Sequence, residues 1–300
     1  MNKRKRIKRW IAILLGLSVD HVKQPIGHFF IANSISGYFN DLTKKVLRQK
    51  KLLKTNDLPV VKDDNGEDVV FPVAIIQYGL GAYDLYLKTK KEIYKKKFFE
   101  CANWVLNNTA QNGSIDNFSC FNMAPFGAMC QGEAISLLAR AYVQTNDRRY
   151  IECSSKLYSF LMTPIDNGGV ASYKDNLIVL FECTDHSPIL NGWIFALFGI
   201  YDFYLLSNDK SVKDVLDQSV YSLSQSLPLF DNKTWSLYDL DGNIASPFYH
   251  KLHIAQLEAL TKISDDKFFL DYYKIFKKRK NNPFCYLISV IKKAFQQIRK

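Results

Sequence analysis

Apolar and aromatic residues recur at three- to four-residue spacing through 77–87, 93–106, 134–142, 194–206 and 254–263, the period of an amphipathic or buried helix. Polar triplets punctuate the pattern. Thr145-Asn146-Asp147, Ser207-Asn208-Asp209 and Ser264-Asp265-Asp266 each follow an aromatic-rich apolar stretch and precede another amphipathic one. Such residues end one helix and start the next, because Ser, Asn and Asp side chains accept from the free N–H groups of a helix N-terminus. Thr89-Lys90-Lys91, between 77–87 and 93–106, is a degenerate copy of the same turn. Four helical hairpins are therefore predicted, about sixty residues apart, in the range of a repeat array.

The links between hairpins are turn-rich and partly β-like: Asn112-Gly113-Ser114-Ile115, Asp166-Asn167-Gly168-Gly169-Val170 and Asp231-Asn232-Lys233-Thr234-Trp235. The fold class expected is mainly α, with short β links. An array of hairpins can close into an α/α toroid whose inner helices and loops form a concave floor suited to an extended polymer. Residues 1–70 read differently, as a basic N-terminal appendage set apart from 71–300. They hold a basic amphipathic segment, 38–53, and an acidic turn, Asp63-Asp64-Asn65-Gly66-Glu67-Asp68, between two Val-rich runs that predict one β-hairpin. The apolar run 10–19 follows a basic start but has no small-x-small cleavage site and falls far short of the ~20 residues of a membrane span. It reads as an amphipathic or buried first helix, with a peripheral membrane anchor as the alternative.

Apolar residues make up 47% and aromatic residues 14% of the 300 positions, which excludes disorder for most of the chain. The formal net charge of +11 comes substantially from the two ends, Lys3-Arg4-Lys5-Arg6 with Lys8-Arg9, and Lys277-Lys278-Arg279-Lys280 with Lys292-Lys293 and Arg299-Lys300. A polyanionic partner fits that charge, whether polysaccharide, lipid headgroup or nucleic acid; the alternative is that basic ends only keep the chain soluble. No nucleic-acid motif accompanies the charge, so nucleic acid is not expected. Cys101, Cys120, Cys130, Cys153, Cys183 and Cys285 form no CxxC pair and no zinc-finger spacing. They read as reduced thiols of a cytoplasmic protein, with the membrane face as a candidate place for it.

Three stretches carry most of the candidate chemistry: Phe181-Glu182-Cys183 ahead of Ser187-Pro188-Ile189-Leu190-Asn191-Gly192-Trp193, then Trp235-Ser236-Leu237-Tyr238-Asp239-Leu240, then Phe248-Tyr249-His250-Lys251-Leu252-His253. Each puts a carboxylate, phenol or imidazole on a loop beside the start of an apolar helix. Glu182 follows the apolar run 178–181, where a carboxylate is costly unless paired; it is either functional or matched to a cation such as Lys174. Tyr238 and Tyr249 could equally be core tyrosines with satisfied hydroxyls. His250 and His253 share a helix face at i, i+3, but no third ligand is evident, so no metal is expected. Glu133, on an apolar helix, could be a further acid or a structural ion-pair or capping residue.

Five ordered blocks bear a resemblance. They are Phe71-Pro72-Val73-Ala74-Ile75-Ile76-Gln77-Tyr78-Gly79-Leu80-Gly81; Met129-Cys130-Gln131-Gly132-Glu133 continuing to Tyr142; Leu190-Asn191-Gly192 with Gly199-Ile200-Tyr201-Asp202; Tyr238-Asp239-Leu240; and Tyr249-His250 followed by His253-Ile254-Ala255-Gln256-Leu257. Together they resemble the C-terminal catalytic domain of the D-glucuronyl C5-epimerases, which convert glucuronate to iduronate in heparosan-type chains, from about residue 71 to about 277. The resemblance implies an incomplete α/α toroid, no cofactor, no calcium site, and an anionic polysaccharide substrate. It also implies that Glu182 and Tyr249 are the acid/base pair and Tyr238 a donor to the substrate carboxylate. Gln131, Asn191, His250 and His253 would line or support the sugar subsite, with Lys251 as a further substrate contact. Two positions depart from the family pattern. Relatives have Glu-Tyr-Pro where this chain reads Glu182-Cys183-Thr184, and an arginine expected to hold the carboxylate is Asp241 here. His186, Lys251 and Arg140 are the candidate replacements. A uronate polysaccharide lyase and a non-catalytic polysaccharide-binding protein are the other readings, and a homodimer and membrane contact through the basic N-terminus stay open as partners.

Overall fold

The computed structural model describes residues 21–63 and 65–299, with side chains to residue 296. The predicted first helix at 10–19 and the basic run before it lie outside the described residues. A short helix, α1 (Thr43–Arg48), precedes two strands, β1 (Val60–Lys62) and β2 (Asp68–Val70). The four predicted hairpins follow as α2 (Pro72–Thr89) with α3 (Glu92–Asn108), α4 (Ala128–Thr145) with α5 (Arg148–Leu161), α6 (Leu190–Ser207) with α7 (Lys210–Ser226), and α8 (Pro247–Ile263) with α9 (Lys267–Lys280). Strands β3 (Ala171–Lys174) and β4 (Leu177–Leu180) form an antiparallel link before α6, and α10 (Pro283–Arg299) ends the described chain.

The hairpin turns are built as their residues require. Lys90, Asn146 and Asn208 each take the left-handed conformation after the first helix, and their N–H groups donate to Tyr86, Tyr142 and Tyr204 carbonyls. Asn tolerates that conformation better than most residues, which suits two of the three turns. Asp147, Asp209 and Asp266 then cap the second helix by accepting from the N–H two residues on. Lys91, at the degenerate turn, offers no side-chain cap.

The two helices of each hairpin differ in how they are buried. The first member is inner: α4 buries every residue from Ala128 to Ala141, and α6 every residue from Leu190 to Phe203. The second is outer: α5 buries Tyr150, Cys153, Ser154, Leu157, Phe160 and Leu161, a one-sided stripe. Inner helices pack in the order α2, α4, α6, α8, the arrangement of an α/α toroid. α4 and α6 touch backbone to backbone, since a Cβ on Gly199 would stand 2.3 Å from Gly132 Cα and one on Gly132 2.5 Å from Ala196 Cα. α6 is long and apolar enough to cross a membrane, yet 78% of it is buried within the toroid, which accounts for its composition.

The described part of residues 1–70 behaves in two ways. The acidic turn joins β1 and β2 as an exposed antiparallel hairpin with Val60 opposite Val70. Segment 22–46 instead enters the toroid core. Tyr38, Phe39, Leu42 and Val46 are fully buried in the same cluster as the inner helices, and Phe39 stacks on Phe198 at 4.0 Å. The Tyr38 N–H donates to Asp84 on α2, and Asn33 N–H donates to the Tyr201 hydroxyl on α6. Tyr38, Phe39, Leu42 and Val46 are the apolar side of the amphipathic segment 38–53, and its basic composition does not announce that this side joins the toroid core.

Candidate active site

Glu182 is placed by the β3–β4 link. Beyond β4, Phe181 N–H donates to Val170 and its carbonyl accepts from Ala128 at the start of α4 (2.8 Å), which holds the next residue over the inner helices. Two glycines leave the room. A Cβ on Gly127 would stand 2.1 Å from the Glu182 carbonyl oxygen, and one on Gly192 would stand 2.1 Å from Glu182 Oε2. Asn191 Nδ2 donates to the same Oε2 at 3.4 Å. Glu182 keeps partial exposure as a residue, but its carboxyl is enclosed, and burial pushes its pKa up to about 7. Burial is the cause of that shift, and Lys174 is exposed at the far end of the β hairpin, opposite Leu177.

Tyr238 reaches the same place from a later link. Leu190 N–H donates to the Tyr238 carbonyl (3.0 Å), Leu240 N–H to Pro188 and Tyr238 N–H to Asn243 (2.6 Å), so this loop is stitched to the one that follows Glu182. Tyr249 sits in the first turn of α8, where Ser246 Oγ accepts its N–H and Pro247 opens the helix. The two phenol rings lie 4.7 Å apart at 58°. The Tyr238 hydroxyl is held well above its usual pKa by burial, then by the Glu182 charge, the Tyr249 charge and a hydrogen bond to Tyr249. Glu182, Tyr238 and Tyr249 are thus brought together from two links and the start of α8.

Two further groups join them, and sequence reasoning marked only the second. His21 Nε2 stands 3.4 Å from the Tyr249 hydroxyl, and its ring lies edge-on to Phe248 and Tyr249. A lone histidine 228 residues away carries no local signal. Glu133, weighed as an acid or an ion-pair residue, is a hydrogen-bonded buried carboxyl: Gln77 Nε2 donates to both its oxygens (2.9 and 3.0 Å) and the Tyr38 hydroxyl to one (3.4 Å). Its pKa is pushed up to about 8, mainly by burial; the Glu182 charge adds to the rise, while the hydrogen bonds and Lys45 oppose it.

The remaining expected residues fall into other roles. Ser236 Oγ lies between the two imidazoles, 2.8 Å from His250 Nδ1 and 2.9 Å from His253 Nδ1. His250 Nε2 lies 3.1 Å from the Phe276 carbonyl, which only accepts, so that nitrogen carries the proton and Nδ1 is bare. Its ring stacks on Trp235 at 3.6 Å. Both histidines are fully buried and fasten the Tyr238 loop to α8, and burial lowers the His253 pKa to about 3. Among the described residues no group of three or more His, Cys, Asp or Glu could hold a metal ion. Gln131 is fully buried; with its amide turned to satisfy both ends, it donates to Gly113 (3.1 Å) and accepts from Ile115 (3.0 Å), anchoring that link.

The replacement cations separate in the same way. Arg140 is fully buried, ion-paired to Asp202 at 2.7 Å, and donates to the Ser136 and Gly37 carbonyls. It belongs to the toroid core. Lys251 is exposed two residues beyond Tyr249, on the other side of α8, where burial of its stem and the charges of Lys23 and Lys280 lower its pKa. His186 alone lies on a loop of the site, its N–H donating to the Cys183 carbonyl. Cys183 is buried, Phe181 half-buried, and neither supplies a phenol. Asp241 is exposed, and its N–H donates to Ser187 Oγ.

The family model described as D-glucuronyl C5-epimerase C-terminus matches residues 100–278. The chain is 25% identical over 272 residues to a D-glucuronyl C5-epimerase of Caenorhabditis elegans, covering 79% of this chain and 44% of that protein. It is 30% identical over 154 residues to an uncharacterized protein of Methanocaldococcus jannaschii, covering 49% of this chain and 50% of that one. The chain thus spans about half the length of these relatives. Among solved structures, an unsaturated glucuronyl hydrolase from Bacillus sp. GL1 superposes with a TM-score of 0.51 at 16% identity over 79% of this chain and 66% of that one. Another from Streptococcus agalactiae gives 0.50 at 13% over 97% and 81%. At those identities the likeness shows the α/α-toroid fold.

Proposed function

Because the chain belongs to the D-glucuronyl C5-epimerase family, we propose that it epimerises D-glucuronate residues of an acidic polysaccharide at C5, giving L-iduronate. The observation that carries this reading is the convergence of Glu182 and Tyr238 from two links with Tyr249 from the start of α8. The reaction removes the proton α to the uronate carboxylate and returns one to the opposite face. It therefore needs an acid and a base on opposite sides of the ring and donors around the carboxylate, because the intermediate is an enediolate. Each positioned acid or base is worth roughly 10²- to 10⁴-fold, and each fixed donor to the developing oxyanion roughly 10²- to 10³-fold.

Glu182 and Tyr249 take the acid and base roles. A carboxyl with its pKa near 7 exchanges protons readily at neutral pH. Tyr238, with its hydroxyl kept protonated, donates to the carboxylate and its enediolate. His186, on the loop that follows Glu182, is the side chain we assign to the carboxylate in place of the family's arginine. His250 and His253 act through Ser236 as positioning residues for Tyr238.

Incubation with heparosan or another glucuronan in D₂O tests the reading. Deuterium at C5 with iduronate signals in the NMR spectrum supports it. Appearance of an alkene absorbance would make the protein a lyase, and binding without exchange on any glucuronate polymer would make it a polysaccharide-binding protein.

A further inference from the structure

Helix α10 carries an exposed apolar stripe. Phe284, Leu287, Ile288, Ile291 and Phe295 are 75%, 57%, 39%, 46% and 59% exposed. Their spacing of i, i+3, i+4, i+7 and i+11 places all five within about 100° of the helix circumference. The helix cannot turn this stripe inward, because its other side is fastened to the toroid. Gln296 accepts from Ile244 N–H (2.9 Å) and donates to the Gly242 carbonyl (3.0 Å), Ser289 is buried, and Cys285 packs on the Trp235 cluster. A contiguous exposed patch of large apolar side chains marks a surface that meets another apolar phase.

Charge identifies that phase. The last turn of α9, just before α10, is Lys277-Lys278-Arg279-Lys280, of which Lys277 and Lys278 are exposed, and exposed Lys292 flanks the stripe on α10 itself. A second copy seated on the stripe would bring two such basic sets together. An anionic polysaccharide would meet the cations but leave two phenylalanines and three aliphatic side chains in water. An apolar face bordered by lysines is the composition of a helix lying in a lipid interface.

We propose that α10 docks the protein on an anionic lipid bilayer, with the stripe entering the headgroup–acyl boundary and Lys277, Lys278 and Lys292 meeting the headgroups. The docking surface is distinct from the Glu182–Tyr238–Tyr249 convergence, so the proposal stands whatever reaction the site performs.

Flotation of the full chain with vesicles tests it, comparing phosphatidylcholine alone with phosphatidylcholine mixed with phosphatidylglycerol. The wild type is expected to float with the mixed vesicles, less so as salt rises, and far less with phosphatidylcholine alone. The double variant Leu287→Asp/Ile291→Asp, both at exposed positions, is expected to keep its circular dichroism and lose partitioning by about tenfold or more. Lys278→Glu/Lys292→Glu is expected to lose the preference for phosphatidylglycerol. Equal flotation of wild type and the aspartate variant, or no flotation at all, would overturn the proposal. So would a wild-type dimer that sediments as monomer in the aspartate variant, or retention on heparosan that only the aspartate variant loses.

Discussion

The carboxyl of Glu182 lies against the bare Cα of Gly192, where a Cβ would stand 2.1 Å from Oε2 and 2.5 Å from the glutamate Cβ. Gly192 is in the first turn of α6, beside Asn191, which donates to the same oxygen. The small residue and the amide together set where this carboxyl points.

Gly192→Ala is therefore expected to push Glu182 out of its seat without unfolding the toroid. A steric insertion of this kind costs about 1–3 kcal/mol. C5 exchange should fall by roughly the worth of a positioned acid or base, 10²- to 10⁴-fold. Deuterium incorporation and thermal unfolding, measured on the same preparation, check both halves.

Tyr249→Phe is expected to abolish C5 exchange while leaving the melting temperature nearly unchanged, because the ring stays and only a hydroxyl shared with Tyr238 and His21 is lost. His21→Gln should lower exchange without abolishing it, since the ring facing the Tyr249 hydroxyl is replaced by a shorter amide. Exchange identical to wild type would remove His21 from the site.

Ser236→Ala takes the shared hydroxyl from two buried imidazoles, stranding His253 Nδ1 while His250 Nδ1 keeps the backbone N–H of residue 236 at 3.3 Å. A loss of about 1–3 kcal/mol follows. The Tyr238 loop, two residues on, should loosen, which faster amide exchange at Leu237 and Tyr238 would register.

Buried carboxyls and buried imidazoles bend the stability curve in opposite directions. Glu133, at about 8 against an ordinary 4.5, and Glu182, at about 7, bind more protons folded than unfolded, so their contribution is full below about pH 4.5 and is lost as pH rises to 7–8. His253, at about 3 against 6.5, binds fewer protons folded, so its contribution is lost as pH falls from 6.5 toward 3. From these three groups stability is expected to peak near pH 4.5, where two carboxyls and one imidazole balance, and Glu133→Gln to flatten the decline toward pH 8 in urea titrations. An unchanged decline would mean that Glu133 does not titrate as a buried carboxyl.

Arg140→Met separates a structural arginine from a carboxylate-binding one. Removing it strands buried Asp202, at a cost of about 3–5 kcal/mol. In Arg140→Met/Asp202→Leu much of that loss should return. Restored stability with normal KM for the polymer would confirm the core role; a raised KM in the stable double variant would argue for substrate contact.

The hairpins were legible because their signals are local. Ser, Asn and Asp at 146–147, 208–209 and 264–266 can stop and cap helices with no help from elsewhere. Which helix of each hairpin is inner was decided by packing, with α4 and α6 buried on all sides and α5 on one. Among the site residues, Glu182, Tyr238 and Tyr249 stood out as polar groups beside apolar helix starts. His250 and His253 stood out for the same reason, and Gln131 through the resemblance, yet all three serve the protein's own backbone and loops. A sequence shows that a polar group must be satisfied, not by whom.

The sequence by itself determined the helical repeat, its turns and the family blocks, because capping, periodicity and motifs act over a few residues. Only the tertiary structure decided that segment 22–46 enters the core, that His21 faces Tyr249, that Glu133 binds Gln77, and that Arg140 and Lys251 stand away from the site. Those relationships join residues tens to hundreds of positions apart, and they arise from the requirement that buried charges and hydrogen-bonding groups find partners once the toroid has closed around them.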